Sequence, residues 1–225
     1  MKKKYKLILV SGSLKRIEKI EKEAQKYFKG AKGSHDWDHV ERVYNLALKI
    51  GKKEKADLEI LKLSAILHDI GRKHQDEVNG RIDHGETGAK LAKKILEKYN
   101  FERKKVEKII HCVETNRFRG NKKPESKEAK ILFDADKLDA IGAIGIGRAF
   151  LFAGEVGAKL HDKDVDISKT KEYTKDDSAY REYLVKLRKI KDRMFTKEGK
   201  RIARERHKFM VNFFEHLNKE VDGKL

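Results

Sequence analysis

Apolar residues recur three and four positions apart along most of this chain, which is the spacing of one face of an α-helix. The pattern predicts helices at residues 14–28, 39–53, 56–71, 87–100, 101–115, 180–194 and 196–219, and two more within residues 128–158. Only residues 5–10 and 165–168 have the character of short strands. We therefore expect an all-α fold.

No internal repeat and no low-complexity linker divides the 225 residues, and the single proline, Pro124, leaves the helical segments uninterrupted. A chain of this length can bury a full hydrophobic core. We expect one domain over residues 1–225, in which C-terminal helices at about residues 176–222 extend the core.

Lysine and arginine number 55 against 37 acidic residues, which gives a net charge of +18. Such an excess concentrates anions near the surface, so the partner can be a nucleic acid, a nucleotide or another phosphate ester. The basic residues run along the whole chain, however, and 41% charged residues are typical of hyperthermophile proteins. A solvated surface explains the charge equally well, and both interpretations stay open.

Cys112 is the one cysteine, so no internal disulfide forms, as in proteins of a reducing compartment. No run approaches the roughly 18 apolar residues of a membrane helix. The apolar patch near the N-terminus is also shorter than the core of a secretory signal, which needs about 7–15 residues. We expect a cytoplasmic protein without a membrane partner.

Several polar side chains fall on helix faces that are otherwise apolar. His39 shares a face with Val43 and Leu46, and Asp136 shares one with Leu132. The other members of this set are the His68–Asp69 pair and His84. An unpaired polar group in a core costs several kcal/mol, and one divalent cation, bound by imidazole nitrogens and carboxylate oxygens, satisfies all of them together. The alternative is a separate hydrogen-bond partner for each residue.

His39, then the His68–Asp69 pair, then Asp136 within DADKLDA, resemble the H…HD…D signature of the HD-domain phosphohydrolases. The segments SHDWDHVERVYNLA, ILHDIGR, DHGETGAKLA and LFDADKLDAIGAIGIGRAF are similar to a bacterial and archaeal branch that includes a nucleoside-triphosphate pyrophosphohydrolase. The resemblance covers about residues 34–152. It implies an HD-domain helical bundle as the catalytic core, a divalent metal ion, and hydrolysis of a phosphate ester or anhydride.

The resemblance carries four metal ligands over to this chain, namely His39, His68, Asp69 and Asp136. It does not fix the ion, which can be Mn, Mg, Co, Ni, Fe or Zn. Asp134 and Asp139 are expected around the ligands or on the helix surface. Two-metal members of the superfamily add two histidines, for which His84 and His111 are the candidates here, either as ligands of a second ion or as pocket residues. Asn116 lies where similar proteins often have a histidine, so we favour one ion.

The remaining site residues are expected from their places beside the ligands. Asp69 can also accept a hydrogen bond from the attacking water. Arg72 and Lys73 follow it closely and are the foremost catalytic candidates for stabilising the negative charge of the substrate. Glu86 is a candidate general acid or water-orienting group, with Asp76 and Glu77 as alternatives that the sequence does not separate. The candidates for binding the substrate phosphates are Arg42, Arg117, Arg119 and Lys137.

The expected function is metal-dependent hydrolysis of a small phosphate compound. The favoured reaction, a nucleoside triphosphate cleaved to monophosphate and pyrophosphate, is implied by the resemblance alone. The first alternative is a metal-dependent phosphodiesterase or nuclease. The second is a non-catalytic protein that binds a nucleotide or a nucleic acid and keeps a structural metal. The C-terminal helices can cover the domain or mediate a homodimer.

Overall fold

The structure is a computed structural model that describes residues 2–31, 33, 36–73, 84–116 and 122–225, with side chains from residue 14 onward except those of residues 84–86. This part of the chain forms nine α-helices and no strand. The helices are α1 Lys2–Gln25, α2 Trp37–Glu54, α3 Leu58–Leu67, α4 His84–Lys98, α5 Arg103–Glu114, α6 Lys127–Asp139, α7 Gly142–Glu155, α8 Ala179–Val185 and α9 Lys197–Val221. The predicted all-α fold is confirmed.

Three details differ from the sequence-based expectation. Residues 165–168 form no strand, because a 3₁₀ helix runs over Ile167–Lys169 and its first turn is capped by Asp166. Residues 5–10 lie within α1 and are not extended. A lone strand would leave its backbone groups without partners, whereas a helix pairs them internally. The segment 180–194 is not one helix: α8 ends at Val185, and a 3₁₀ helix runs over Leu187–Arg193.

Two compact units make up the chain, Met1–Leu132 and Phe133–Leu225, and the boundary between them falls within α6. The single-domain interpretation of the sequence stays a prediction. In the first unit, α3 contacts α1, α2 and α5, and α4 packs on α5. Seven of the ten residues of α3 are buried, since apolar side chains surround this helix on nearly every face.

The close approach of α2 and α3 depends on Gly51. A Cβ atom built at this position would lie 2.3 Å from Cδ1 of Leu61, so a larger residue would force the buried Leu61 side chain to move. Because these helices carry His39 near the start of α2 and His68 just after α3, their spacing also sets the distance between the two imidazoles.

In the second unit, α7 packs on α8 and α9. An aromatic cluster fills this core around Phe214, which is 1% exposed and whose ring lies 4.4 Å from that of Tyr183 and 6.4 Å from that of Phe150. Gly145 is required where α7 begins, because a Cβ atom there would lie 2.3 Å from the carbonyl of Ala140. Within the described segments, no helix has the length and apolar character that crossing a membrane requires.

Candidate metal centre

His39 is placed by the N-terminus of α2. Asp36 caps this helix, and its carboxylate accepts a hydrogen bond from the backbone N–H of His39, at 3.4 Å. The cap fixes where the helix starts, so the third helical residue turns toward the interior together with Val40 and Val43. Its side chain is buried, with the residue 1% exposed.

His68 and Asp69 follow α3 directly. The Nδ1 atom of His68 lies 2.7 Å from the carbonyl oxygen of Ala65, one turn earlier. Since a carbonyl only accepts, Nδ1 carries the proton, and Nε2 presents its lone pair to the opposite side. This arrangement fixes the tautomer that a metal ligand needs. The ring is 1% exposed and Asp69 is 6% exposed.

The ligand atoms of these residues converge. Nε2 of His68 lies 3.3 Å from Nε2 of His39, and Oδ2 of Asp69 lies 3.6 Å and 3.8 Å from the two nitrogens. One ligand atom each of His39, His68 and Asp136 lie within 4.8 Å of one another. Ligands placed about 2.0–2.2 Å from one ion are about 3 to 4.3 Å apart. The donor types, and the separations among His39, His68 and Asp69, therefore fit a divalent cation.

Asp136 is carried by α6. Its Oδ2 atom accepts a hydrogen bond from Nζ of Lys137 at 2.5 Å, and the two side chains are 14% and 12% exposed. The same ammonium lies 5.3 Å from the centre of the Phe133 ring. A positive charge thus already accompanies this carboxylate.

The comparisons with known proteins cover the segment that carries these residues. Residues 36–141 match the HD domain family. The chain is 39% identical over 215 residues to the Bacillus subtilis protein YpgQ, an alignment that covers 93% of this chain and 96% of YpgQ. This chain belongs to the HD-domain family.

Solved structures resemble the HD-domain chain along nearly its whole length. A crystal structure of Bacillus subtilis YpgQ in complex with ADP has a TM-score of 0.73 at 34% identity and covers 93% of this chain and 96% of that one. An HD-superfamily hydrolase from Bacillus thuringiensis has a TM-score of 0.72 at 28% identity, with 93% and 98% covered. Ribonuclease Y of Syntrophomonas wolfei is 33% identical over 102 residues, which are 45% of this chain but 18% of that enzyme.

The other predicted site residues lie in a turn, on a helix or outside the described segments. The turn after α3 holds Arg72, whose backbone N–H donates to the carbonyl of Asp69. The ammonium of Lys73 donates to the backbone carbonyl of Lys29 at 2.9 Å. Arg42 is partly buried on α2, in the turn after His39. Outside the described parts lie Arg117, Arg119 and the side chains of His84 and Glu86, and also Asp76 and Glu77.

His111, on α5, already has a hydrogen-bond partner at one ring nitrogen. Its Nε2 atom accepts a hydrogen bond from the backbone N–H of Glu125 at 3.2 Å. That nitrogen would have to break this bond before it could bind a second ion. Next to His111, Cys112 is fully buried, and burial raises the pKa of its thiol to about 11, which suits an inert core residue.

Two aspartates of DADKLD are not on the helix surface, contrary to one of the two readings of the sequence. Asp134 is 0% exposed and accepts hydrogen bonds from the backbone of Phe195 and Thr196. Asp139 is 1% exposed and accepts a hydrogen bond from Arg148 at 3.0 Å. Burial raises the pKa of Asp134, while the hydrogen bonds from Thr196 and Phe195 oppose that rise.

Proposed function

We propose that this protein is a metal-dependent phosphohydrolase that acts on nucleotides, with a nucleoside triphosphate cleaved to monophosphate and pyrophosphate. The observation that carries the proposal is the convergence of His39, His68 and Asp136 within 4.8 Å, beside Asp69. The ADP complex of YpgQ, a relative matched over nearly the whole chain, supports a nucleotide as the ligand.

The four residues would hold the ion as two imidazole nitrogens and two carboxylate oxygens, a donor set that suits Mn, Fe, Co, Ni or Zn. When bound, such an ion lowers the pKa of a water ligand and withdraws charge from phosphoryl oxygens. In the proposal Asp69 also accepts a hydrogen bond from the attacking water. This hydrogen bond would orient a lone pair of the water oxygen toward phosphorus. Burial of the histidines and Asp69 keeps bulk water away from the ligand atoms.

Basic side chains near the ligands are proposed to bind the phosphates. The candidates are Arg42, Arg72, Lys73, Arg117, Arg119 and Lys137. Arginine offers bidentate contacts to phosphate oxygens, whereas lysine acts as a point charge. Glu86 remains the proposed general acid or water-orienting group. The contact of Lys73 with the Lys29 carbonyl must yield if its ammonium is to reach a substrate.

The test is a substrate panel with the purified protein and Mn²⁺, Co²⁺ or Mg²⁺. Nucleoside triphosphates, diphosphates and monophosphates are incubated, and the products are separated by ion-exchange chromatography. We expect monophosphate and pyrophosphate from a triphosphate. The His68→Ala and Asp69→Asn variants should lose this activity, and His216→Ala should keep it because His216 is an exposed residue paired with Glu220 on α9. Full activity in His68→Ala would refute the proposal.

A second candidate is a phosphodiesterase that acts on RNA. The similarity to part of Ribonuclease Y favours it, as does the net charge of +18. Adding a single-stranded RNA and bis-p-nitrophenyl phosphate to the same panel separates the two candidates. Cleavage of RNA or the diester, without turnover of any triphosphate, would establish the second candidate and refute the first.

A further inference from the structure

Lys137 occupies an unusual position for a lysine in a chain with so many exposed ones. Its side chain is only 12% exposed, its ammonium contacts Oδ2 of Asp136, and it lies 5.3 Å from the centre of the Phe133 ring. The aromatic face attracts the cation, and the carboxylate fixes its direction. Lysine normally keeps its head in water, so two partners on one helix hold this ammonium away from solvent.

Phe133 is itself held from outside α6. Its ring packs edge-to-face against Phe195, with centroids 5.2 Å apart and planes inclined at 79°. Phe195 directly precedes Thr196, the residue that caps α9, since the Thr196 hydroxyl accepts a hydrogen bond from the N–H of Gly199 at 3.0 Å. Contacts thus lead from Phe195, at the start of α9, through Phe133 and Lys137 to Asp136. We call this row of four residues the stack.

The buried carboxylate of Asp134 fixes the segment that begins this stack. It accepts hydrogen bonds from the N–H groups of Phe195 and Thr196, at 2.9 Å and 2.8 Å, and from the Thr196 hydroxyl at 2.6 Å. Gly199 makes room for it, because a Cβ atom there would lie 2.3 Å from Oδ2 of Asp134. Asp134 and Asp136 are two residues apart, about 200° around the helix, so α6 is anchored on one side and presents a metal ligand on the other.

We infer that Lys137 is a positioning residue for the metal ligand Asp136, and that the segment Phe195–Gly199 keeps Lys137 in place through Phe133. One oxygen of Asp136 is bound by the ammonium, which restricts rotation of the carboxylate. Hydrogen bonds that orient metal ligands in this way are worth about 10–100-fold in metal affinity. The inference rests on the proposed function, since it presupposes a cation at this site. It makes residues beyond the HD match at 36–141 part of the metal centre.

This role differs in a measurable way from direct contact with substrate. A lysine that only binds phosphate contributes to KM and leaves the affinity for the metal unchanged. A lysine that orients Asp136 contributes to metal affinity in the absence of any nucleotide. Both roles place the same charge near the ion, so the binding of the metal alone separates them.

The first arm of the experiment measures Mn²⁺ binding to the metal-depleted protein by isothermal titration calorimetry, without substrate. Lys137→Met keeps an unbranched side chain that is one atom shorter and removes the charge, and we expect its Kd for Mn²⁺ to rise about 10–100-fold. Lys137→Arg, which restores a donor, should recover part of the affinity. Lys130→Met is the matched control, two turns earlier on α6, and should bind like the unmodified protein.

The second arm tests the stack. Phe195→Ala should raise the Kd for Mn²⁺ severalfold, whereas Phe209→Ala, which truncates a 52% exposed phenylalanine on α9, should not. Because Phe195 acts through Lys137, its effect should shrink in the Lys137→Met background. The visible spectrum of bound Co²⁺ reports the ligand geometry, and Lys137→Met should alter it while Lys130→Met does not. Far-UV circular dichroism verifies that each variant is folded.

The outcomes separate a failure of the inference on Lys137 from a failure of the proposed function. Unchanged Mn²⁺ affinity and an unchanged Co²⁺ spectrum in Lys137→Met would overturn the inference and leave the proposed function intact. Lys137→Met can bind the metal more weakly while Phe195→Ala weakens binding equally in the unmodified protein and in Lys137→Met. That result would overturn the role of the C-terminal segment. If the unmodified protein and His68→Ala bind Mn²⁺ equally, the proposed metal site itself fails, and the inference fails with it.

Discussion

Divalent cations should stabilise this protein against heat, and one imidazole should account for most of the effect. Two imidazole nitrogens 3.3 Å apart face a buried carboxylate at 3.6 Å and 3.8 Å. The unfolded chain has no such arrangement, so a cation binds the folded state and adds to the free energy of unfolding. At 100 times its Kd a ligand adds about 2.7 kcal/mol. For a chain of about this size each kcal/mol raises Tm by about 2–4 °C, so we expect a rise of about 5–10 °C.

The assay is differential scanning fluorimetry of the metal-depleted protein over a titration of Mn²⁺, followed by excess chelator to reverse the shift. In His68→Ala, which loses one ligand, a Kd about 100-fold weaker leaves about 0.4 kcal/mol at the same concentration, or a shift of about 1–2 °C. His216→Ala should shift like the unmodified protein, because its histidine is exposed on α9. An undiminished shift in His68→Ala would show that the ion binds elsewhere and refute the assignment.

Four further outcomes are expected. Gly145→Ala should lower the free energy of unfolding by about 1–3 kcal/mol in urea denaturation, because the new Cβ would lie 2.3 Å from the Ala140 carbonyl; an unchanged midpoint would contradict this. Cys112 should resist Ellman's reagent at pH 7.5 in the native state and react in urea, since burial raises its pKa to about 11. Burial lowers the pKa of His207, so its contribution to stability is present above its ordinary pKa and is lost as the pH falls below it; His207→Gln should narrow the difference in Tm between pH 7.5 and pH 5.5. Elemental analysis after metal loading should give one ion per chain. Two ions per chain would contradict this expectation and favour His111 as a ligand of the second ion.

The helices were predictable because amphipathic spacing is a local property of the chain. The segment 56–71 is apolar on nearly every side, and it forms the buried α3. The break at Lys186 was not predictable, because no glycine or proline marks it. There the backbone leaves the helical region at φ −134°, and the residues on either side keep a helical pattern.

The residues that we propose as metal ligands were predictable for a different reason. A histidine or an aspartate on an apolar helix face conflicts with its surroundings, and the sequence shows that conflict directly. His39, His68 and Asp136 were found this way and lie together. Side chains in turns give no such signal: Lys73 follows the ligands closely, yet its ammonium contacts the Lys29 carbonyl.

The role of Asp134 depends on residues far along the chain. Helical geometry places it on a different side of α6 from Asp136, so the two could not be expected to share one site. What covers that side is the segment at Phe195 and Thr196, about 60 residues later. Helical periodicity gives no information on such a pairing. An aspartate that binds the cap residue of a distant helix therefore resembles a surface residue in the sequence.

The charge at the metal centre bears on the substrate more directly than the charge of the whole chain. In the proposed site, Asp69 and Asp136 would together neutralise a divalent cation. Lys137 then adds one positive charge that is only 12% exposed and therefore little screened by water. The cation, the two carboxylates and this ammonium would together carry one positive charge, which would favour an anionic phosphate over a neutral substrate. The net charge of +18 is spread along the sequence and supports solvated surface and anion binding alike. The charge of Lys137 at the proposed centre does not depend on that balance, because it would persist if every exposed lysine were neutralised.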